Sequence, residues 1–379
     1  MKILNVTSIT ELRGGDAQMY TVYKLLKDEK NVKQYILCPE DAVLASICKN
    51  DQANLFTYNK NKFKLFNLAR AIVKICNQES INILHIHDSS ALNAALIALK
   101  FLDKSILLVL SRKRNNKIKD KFLNRYKYSH PRIHKIICVS KAVESIFDKI
   151  ISDKNRLLTI YDAIDVDQFS KKTNQNLLHK EFNFSPETKI VGNIAGLTNQ
   201  KDIYTFIDTA KKIKAKNKTS NPIKFIIIGD GPLKTDLINY AISNELEKDL
   251  FFTGFRNTID LLPEFDLFLS TSITEGLPLT IYEAFACNIP VISTKAGGIP
   301  EVITDGKTGF LASLKDSETL SDRAIEVLSN PTLQETLKSN SYKLVKENHS
   351  LNIMRKNYYT FYKNILNTDQ LLVSKNQSL

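Results

Sequence analysis

The chain has 379 residues, 43% hydrophobic and 25% charged, with 12 Gly, 10 Pro, 5 Cys and no Trp, a composition that excludes disordered and fibrous classes. Its formal net charge of +13 is unevenly placed: residues 1–165 hold 28 Lys and Arg against 16 Asp and Glu, residues 166–379 hold 25 against 24. An anionic partner should therefore meet the first half.

The length suggests two domains, each large enough for its own core. No uncharged apolar run approaches the roughly 18 residues of a spanning helix. The opening MKILNVTSITELRGG reads as a first strand and not as a signal peptide, because Glu11 and Arg13 follow a short apolar stretch. The five scattered cysteines form no CxxC pair, which argues for reduced thiols, a cytoplasmic chain, and neither a disulfide framework nor a zinc site.

In chain order, β-branched runs at 2–8, 34–38, 83–87, 106–110 and 136–140 predict strands, and amphipathic runs at 17–28, 64–77, 91–101 and 141–150 predict helices between them. This alternation implies a parallel sheet with crossover helices, an N-terminal Rossmann-like domain over 1–165. A polar stretch at 166–187 reads as a linker. A second alternation follows over 188–350, with strands at 189–194, 224–229, 250–254, 267–270 and 290–294 and helices after Lys201, Leu233, Asn257, Pro278, Lys315 and Pro331. The tail 351–367 has apolar and aromatic residues at helical spacing and is expected to pack back on one of the domains. The fold class expected is α/β: two tandem Rossmann-like, doubly wound domains facing a cleft.

Ligands of open α/β sheets sit at the carboxyl ends of strands, often on helix N-termini. The strongest such junction is 267–287, LFLSTSITEGLPLTIYEAFAC. Gly276 would let a ligand approach the backbone, Pro278 suits a first helical position, and the N–H groups of Leu279 and Thr280 would face an anion. Glu275 and Glu283 could grip hydroxyls on either side of a phosphate. Read blandly, they are a capping residue and a solvated helix residue. His85 and His87, in ILHIHDSS, share one face of a strand end; no third ligand completes a metal site. Gly229-Asp230-Gly231-Pro232 lacks the third glycine of a dinucleotide fingerprint, which argues against a nicotinamide enzyme.

Glu275-Gly-Leu-Pro-Leu-Thr-Ile-Tyr-Glu283 resembles the E-x7-E motif of glycosyltransferase family 4, retaining GT-B enzymes that take a sugar from a nucleotide donor. Around it, in the family's order, stand Gly14-Gly15, Ser140-Lys-Ala-Val143, Ile164-Asp165, Lys201-Asp202, Gly229 to Pro232, Phe252-Thr-Gly-Phe255 and Ala296-Gly-Gly-Ile-Pro-Glu301. The resemblance covers most of 1–365 and extends to enzymes of bacterial surface polysaccharide and lipopolysaccharide synthesis.

The resemblance implies that Glu283 bonds the donor ribose and Glu275 the hydroxyls of the transferred sugar. Lys201, Gly15 and the backbone from Gly276 through Leu277, Pro278 and Leu279 to Thr280 would hold the diphosphate, and Phe255-Arg256 would lie beside the base. Glu275, Lys201 and His87 are the expected catalytic residues. The departing diphosphate would accept the acceptor's proton on the face of the breaking bond, with no metal or other cofactor. The acceptor, a glycan or lipid-linked glycan, would meet Gly14, Gly15, His87, Arg112 and Arg114. Read otherwise, Gly14-Gly15 make only a tight turn and His87 only a structural hydrogen bond.

Three positions depart from the family pattern, the mildest being Ala163 in place of the common Gly before Ile164-Asp165. The Arg five residues before the Lys is Gly196 here, so one phosphate contact is missing or comes from elsewhere, as from Arg256. A His common after the fourth predicted strand is replaced within Ser111-Arg112-Lys113-Arg114. Residues 112–128 carry eight Lys or Arg with Ile118, Phe122, Leu123, Tyr126 and Tyr128 interleaved. That segment reads either as a solvated face or as a contact for anionic lipid headgroups or a phosphorylated acceptor. The expected partners are thus a nucleotide-sugar donor, the acceptor and an anionic membrane surface, with peripheral attachment to the inner face of the cytoplasmic membrane and no nucleic acid. The alternatives are a transferase acting on a lipid or small molecule, and a non-catalytic nucleotide-sugar-binding protein.

Overall fold

The computed structural model describes residues 1–119 and 121–376 and divides the chain into two compact units. Unit 1 is Met1–Asp162 together with the chain from Asn352 on; unit 2 is Ala163–Leu351.

In unit 1 the elements are β1 (Lys2–Val6), α1 (Gly14–Leu25), β2 (Lys33–Pro39), α2 (Val43–Asn50), β3 (Leu55–Tyr58), α3 (Lys64–Glu79), β4 (Ile83–Ile86), α4 (Ser89–Ala98), β5 (Leu107–Arg112), α5 (Phe122–Ser129), β6 (Ile133–Cys138), α6 (Lys141–Ser145) and β7 (Leu157–Thr159). The strands form one parallel seven-stranded sheet ordered β3-β2-β1-β4-β5-β6-β7. Strands such as LLVLSR are buried almost throughout, as a sheet covered on both faces requires. Asp88 caps α4 by accepting from the Ser90 and Ala91 N–H groups at 2.8 and 2.9 Å.

Unit 2 opens with α7 (Val166–Ser170) and α8 (Leu177–Glu181), two short helices within the stretch expected as a linker. The stretch is seated on its unit: Leu178 is fully buried, and the Glu264 carboxylate accepts from the Leu177 and Leu178 N–H groups. Next come β8 (Lys189–Ile194), α9 (Ile203–Lys216), β9 (Ile223–Ile228), α10 (Lys234–Ser243), β10 (Leu250–Gly254), β11 (Leu267–Ser270), α11 (Leu279–Ala286), β12 (Val291–Thr294), β13 (Phe310–Ala312), α12 (Ser317–Ser329) and α13 (Pro331–Asn348). The parallel sheet is ordered β10-β9-β8-β11-β12-β13. The helix expected after Asn257 is only a 3₁₀ turn at Leu262–Glu264, where Pro263 interrupts helical hydrogen bonding.

The last helix, α14 (Leu351–Asn376), returns the chain to unit 1. Met354, Tyr358, Phe361 and Tyr362 recur at helical spacing and are buried. No described helix is long and apolar enough to cross a membrane.

Gly192 in β8 leaves no room for a side chain, since a Cβ there would lie 2.0 Å from the Phe265 ring. Side chains in packed interiors have no such room. We expect Gly192→Ala to destabilise the protein by about 1–3 kcal/mol in denaturant titration; an unchanged midpoint would mean that Phe265 does not pack there.

Candidate active site

Both sheets reverse their strand order once, between β1 and β4 and between β8 and β11. Ligands of such sheets bind outside the carboxyl ends of the strands at that reversal. In unit 2 this places the loops 195–202 and 271–278 side by side. The Thr271 hydroxyl donates to the Asp202 carbonyl at 2.9 Å, and the Ile273 N–H donates to the Gln200 carbonyl at 2.9 Å.

The stitching brings Lys201 Nζ to 2.5 Å from Glu275 Oε1, an oxygen that also accepts from the Ser272 hydroxyl at 2.7 Å. The Glu275 carbonyl accepts from the Gly298 N–H at 3.2 Å, which ties this loop to the glycine pair after β12. Leu277 and Pro278 are buried and anchor the turn, while Gly276, Leu279 and Thr280 stay partly exposed. Pro278 precedes the first turn of α11, whose leading N–H groups have no intrahelical acceptor. One turn further in, Glu283 is largely enclosed and pairs with none of the described residues; burial pushes its carboxyl up to about 7.

Two other residues of unit 2 behave less simply. Arg256, expected beside the base, donates to Glu181 Oε2 at 2.7 Å, so α8 holds its guanidinium. At Gly196 a Cβ would meet only the Asp230 carbonyl, at 3.9 Å. The missing arginine thus leaves open space and not a filled pocket.

In unit 1 the reversal gathers Gly14, Gly15 and His87. Gly14 and Gly15 open α1 without a side-chain cap, and a Cβ on Gly14 would touch nothing within 4 Å. His87 Nε2–H donates to Asn5 Oδ1 at 3.1 Å, and its ring centroid lies 4.2 Å from that of His85. His85 is fully buried between the Tyr362 hydroxyl at 2.7 Å and the Ser111 hydroxyl at 2.8 Å. Burial, and then the charge of Lys113, drives His85 down to about 3; burial, with His85 and Lys113, also holds His87 well below the usual range. Both rings are neutral at physiological pH.

Arg112 does not enter this group. Its guanidinium curls onto its own loop, donating to the Arg114 carbonyl at 3.1 Å and to the Asn116 carbonyl and side chain at 2.9 and 2.8 Å, and Arg114 is exposed. The inward cation is Lys113, only 14% exposed, paired with Asp162 at 7%. Burial pulls the Lys113 ammonium down, but Asp162 and the Tyr358 hydroxyl together hold it above the ordinary lysine value. Its methylenes lie 3.5 and 3.7 Å from where a Gly15 Cβ would be. Lys113, Asp162, Tyr358 and Tyr362 were not among the expected site residues. The available signals were the alternation of sides along Ser111-Arg112-Lys113 and the i, i+4 pair of tyrosines in the tail.

The described residues contain no group of three or more His, Cys, Asp or Glu side chains placed to hold a metal ion. In chemical terms unit 2 offers a lysine, free helix N–H groups and two carboxyl groups, a set that suits a sugar diphosphate.

Two family models match the chain: Glycosyltransferase Family 4 over residues 24–168 and Glycosyl transferases group 1 over residues 174–344. The N-acetyl-alpha-D-glucosaminyl L-malate synthase of Bacillus anthracis is 26% identical over 309 residues, 80% of either chain. The UDP-Gal:alpha-D-GlcNAc-diphosphoundecaprenol alpha-1,3-galactosyltransferase of Escherichia coli is 28% identical over 215 residues, 56% of this chain and 55% of that enzyme. The solved structure of Anabaena HepE in complex with UDP-glucose is similar in fold, with TM-score 0.81, 18% identity, and coverage of 96% of this chain and 100% of that one. With matched sequence in both units and the fold shared throughout, the chain belongs to glycosyltransferase family 4 and is a glycosyltransferase of the GT-B type.

Proposed function

We propose that the protein is a retaining, metal-independent transferase that moves a sugar from a nucleoside-diphosphate donor to a glycan or lipid-linked acceptor in cell-surface polysaccharide or lipopolysaccharide synthesis. The observation that carries the reading is the cation and carboxylate at the mouth of α11, Lys201 and Glu275 at 2.5 Å, with the unpaired Glu283 one turn inside.

A diphosphate entering this mouth offers Lys201 a stronger anion than Glu275 and meets the free N–H groups of Leu279 and Thr280. Glu275, released from the lysine, then accepts from hydroxyls of the transferred sugar. Glu283, enclosed and titrating near neutrality, accepts from the ribose diol. As the bond from the anomeric carbon to the diphosphate oxygen breaks, that oxygen gains charge, which Lys201 and the helix terminus stabilise without a metal. The acceptor oxygen bonds to the anomeric carbon on the same face, and its proton passes to the departing diphosphate. In unit 1 the backbone at Gly14 and Gly15 would meet the acceptor, and His87, whose Nε2–H is committed to Asn5 and whose Nδ1 is buried, would back that surface without bonding to the acceptor. Relatives that act on a diphosphoundecaprenol-linked sugar or bind UDP-glucose support the choice of donor and acceptor class.

A ligand that binds only the native state raises its melting temperature. In a thermal-shift screen we expect one of the uridine, guanosine or adenosine diphosphate-sugars to stabilise the wild type. Glu283→Ala should lose that shift, and Glu275→Ala should keep much of it while turnover falls a hundredfold or more. Wild-type turnover in both variants would refute the assignment.

The raised pKa of Glu283 has a definite sign. An acid whose folded value of about 7 exceeds the ordinary glutamate value of 4.5 costs no stability below pH 4.5 and its full penalty above pH 7. At about 1.4 kcal/mol per unit, wild-type stability should fall relative to Glu283→Gln by up to about 3 kcal/mol across that window. Parallel pH curves for the two proteins would place Glu283 in water.

A further inference from the structure

The surface of unit 1 carries a feature that donor chemistry does not use. A groove of about 240 Å³ lies between the end of α4 and the chain following α5. Leu96, Ile97 and Leu99 form its apolar wall, Tyr126 faces it, and Lys100, His130 and Arg132 supply its polar lining. Arg132 donates to the Asp103 carbonyl at 2.9 Å, and its Nε is buried with no acceptor among the described residues. The Asp103 carboxylate accepts from the Ser105 N–H at 2.7 Å, and that bond, with the charge of Arg132, holds it below the ordinary aspartate value.

Around the groove the large apolar side chains face outward. Phe101, next to Lys100, is 71% exposed; on α5, Phe122 is 80%, Leu123 76% and Tyr126 59% exposed. Tyr126 follows Phe122 by four residues and Leu123 by three, so it shares a face of the helix with each. Lys100, Lys104, Lys117, Lys119 and Lys121 are exposed among them. Scattered single hydrophobics on a surface need no explanation, but three on one short helix, whose Tyr126 shares a groove with Lys100, do.

We propose that this face is a docking surface for an anionic phospholipid bilayer. The aromatics of α5 and Phe101 enter the interface between headgroups and acyl chains, the lysines meet the negative surface, and the groove beside Arg132 receives one phosphate headgroup. Charge complementarity selects this occupant, because among residues 100–132 only Asp103 and Asp120 oppose the basic residues. A protein groove-filler would match the apolar wall but not the lysines around it. The inference rests on the reading that the acceptor is membrane-borne, and it explains why the excess charge lies in the first half of the chain.

The chain contains no Trp, so one substitution creates a single reporter. Phe122→Trp should shift its emission to the blue, and be quenched by brominated acyl chains, with vesicles containing phosphatidylglycerol but not with pure phosphatidylcholine. Ile242→Trp, an exposed position on unit 2, should not respond. Adding Lys117→Glu and Lys121→Glu to the reporter should weaken vesicle binding tenfold or more. No response of Phe122→Trp, an equal response to neutral vesicles, or an equal response of Ile242→Trp would overturn the proposal. The vesicles contain neither donor nor acceptor, so failure here leaves the transfer reaction untouched, and retained turnover in the Phe122→Trp variant separates the two.

Discussion

Everything in the candidate donor site depends on how an enclosed carboxylate is neutralised. Glu275 is 11% exposed and sits where two loops are stitched together by Thr271 and Ile273. A charge so placed is costly unless paired. Lys201, reached only because the loop after β8 is held against the loop after β11, supplies the pairing, and Ser272 adds a hydrogen bond. The pair is complete without ligand, yet both partners are the groups that a sugar diphosphate would need. Glu283 shows the opposite solution: with no cation paired to it among the described residues, it meets burial by keeping its proton up to about pH 7.

Unit 1 uses the same device at its own strand reversal. Lys113 lies at the end of β5, enclosed, with Asp162 as its counter-charge and Tyr358 completing the shell. Asp162 is the last residue before the chain passes into unit 2, and Tyr358 belongs to the helix that returns from it. The residues behind Gly15 and His87 are therefore secured by chain segments nearly 200 positions apart, a reason for α14 to be part of this unit and not an appendage. Tyr362 extends the arrangement by fixing His85, on which the His87 ring rests.

Much of this was legible in the sequence because long, buried parallel strands announce themselves. IKFIII and LLVLSR need no partner information, and the junction after LFLS combined Gly276, Pro278 and two glutamates at one strand end. What escaped was short or non-local. The edge strands LFTY, LLT and FLA are three or four residues long, too short for a periodicity, and are held by their neighbours' hydrogen bonds. The helices α7 and α8 look polar because only residues such as Val166 and Leu178 are buried. At 111–114 three cations stand together, and composition cannot say which turns inward. The answer depends on Asp162 and Tyr358, which only the folded chain brings to Lys113.

In the proposed reaction Lys201 holds the diphosphate while Glu275 reads the sugar. Calorimetric titration of the free nucleoside diphosphate and of the whole nucleotide sugar into wild type, Lys201→Met and Glu275→Gln separates the two roles. Lys201→Met should weaken both ligands tenfold or more. Glu275→Gln should leave the diphosphate's affinity intact and remove the extra affinity contributed by the sugar. Equal losses of the free diphosphate in both variants, or no loss in Lys201→Met, would contradict that assignment.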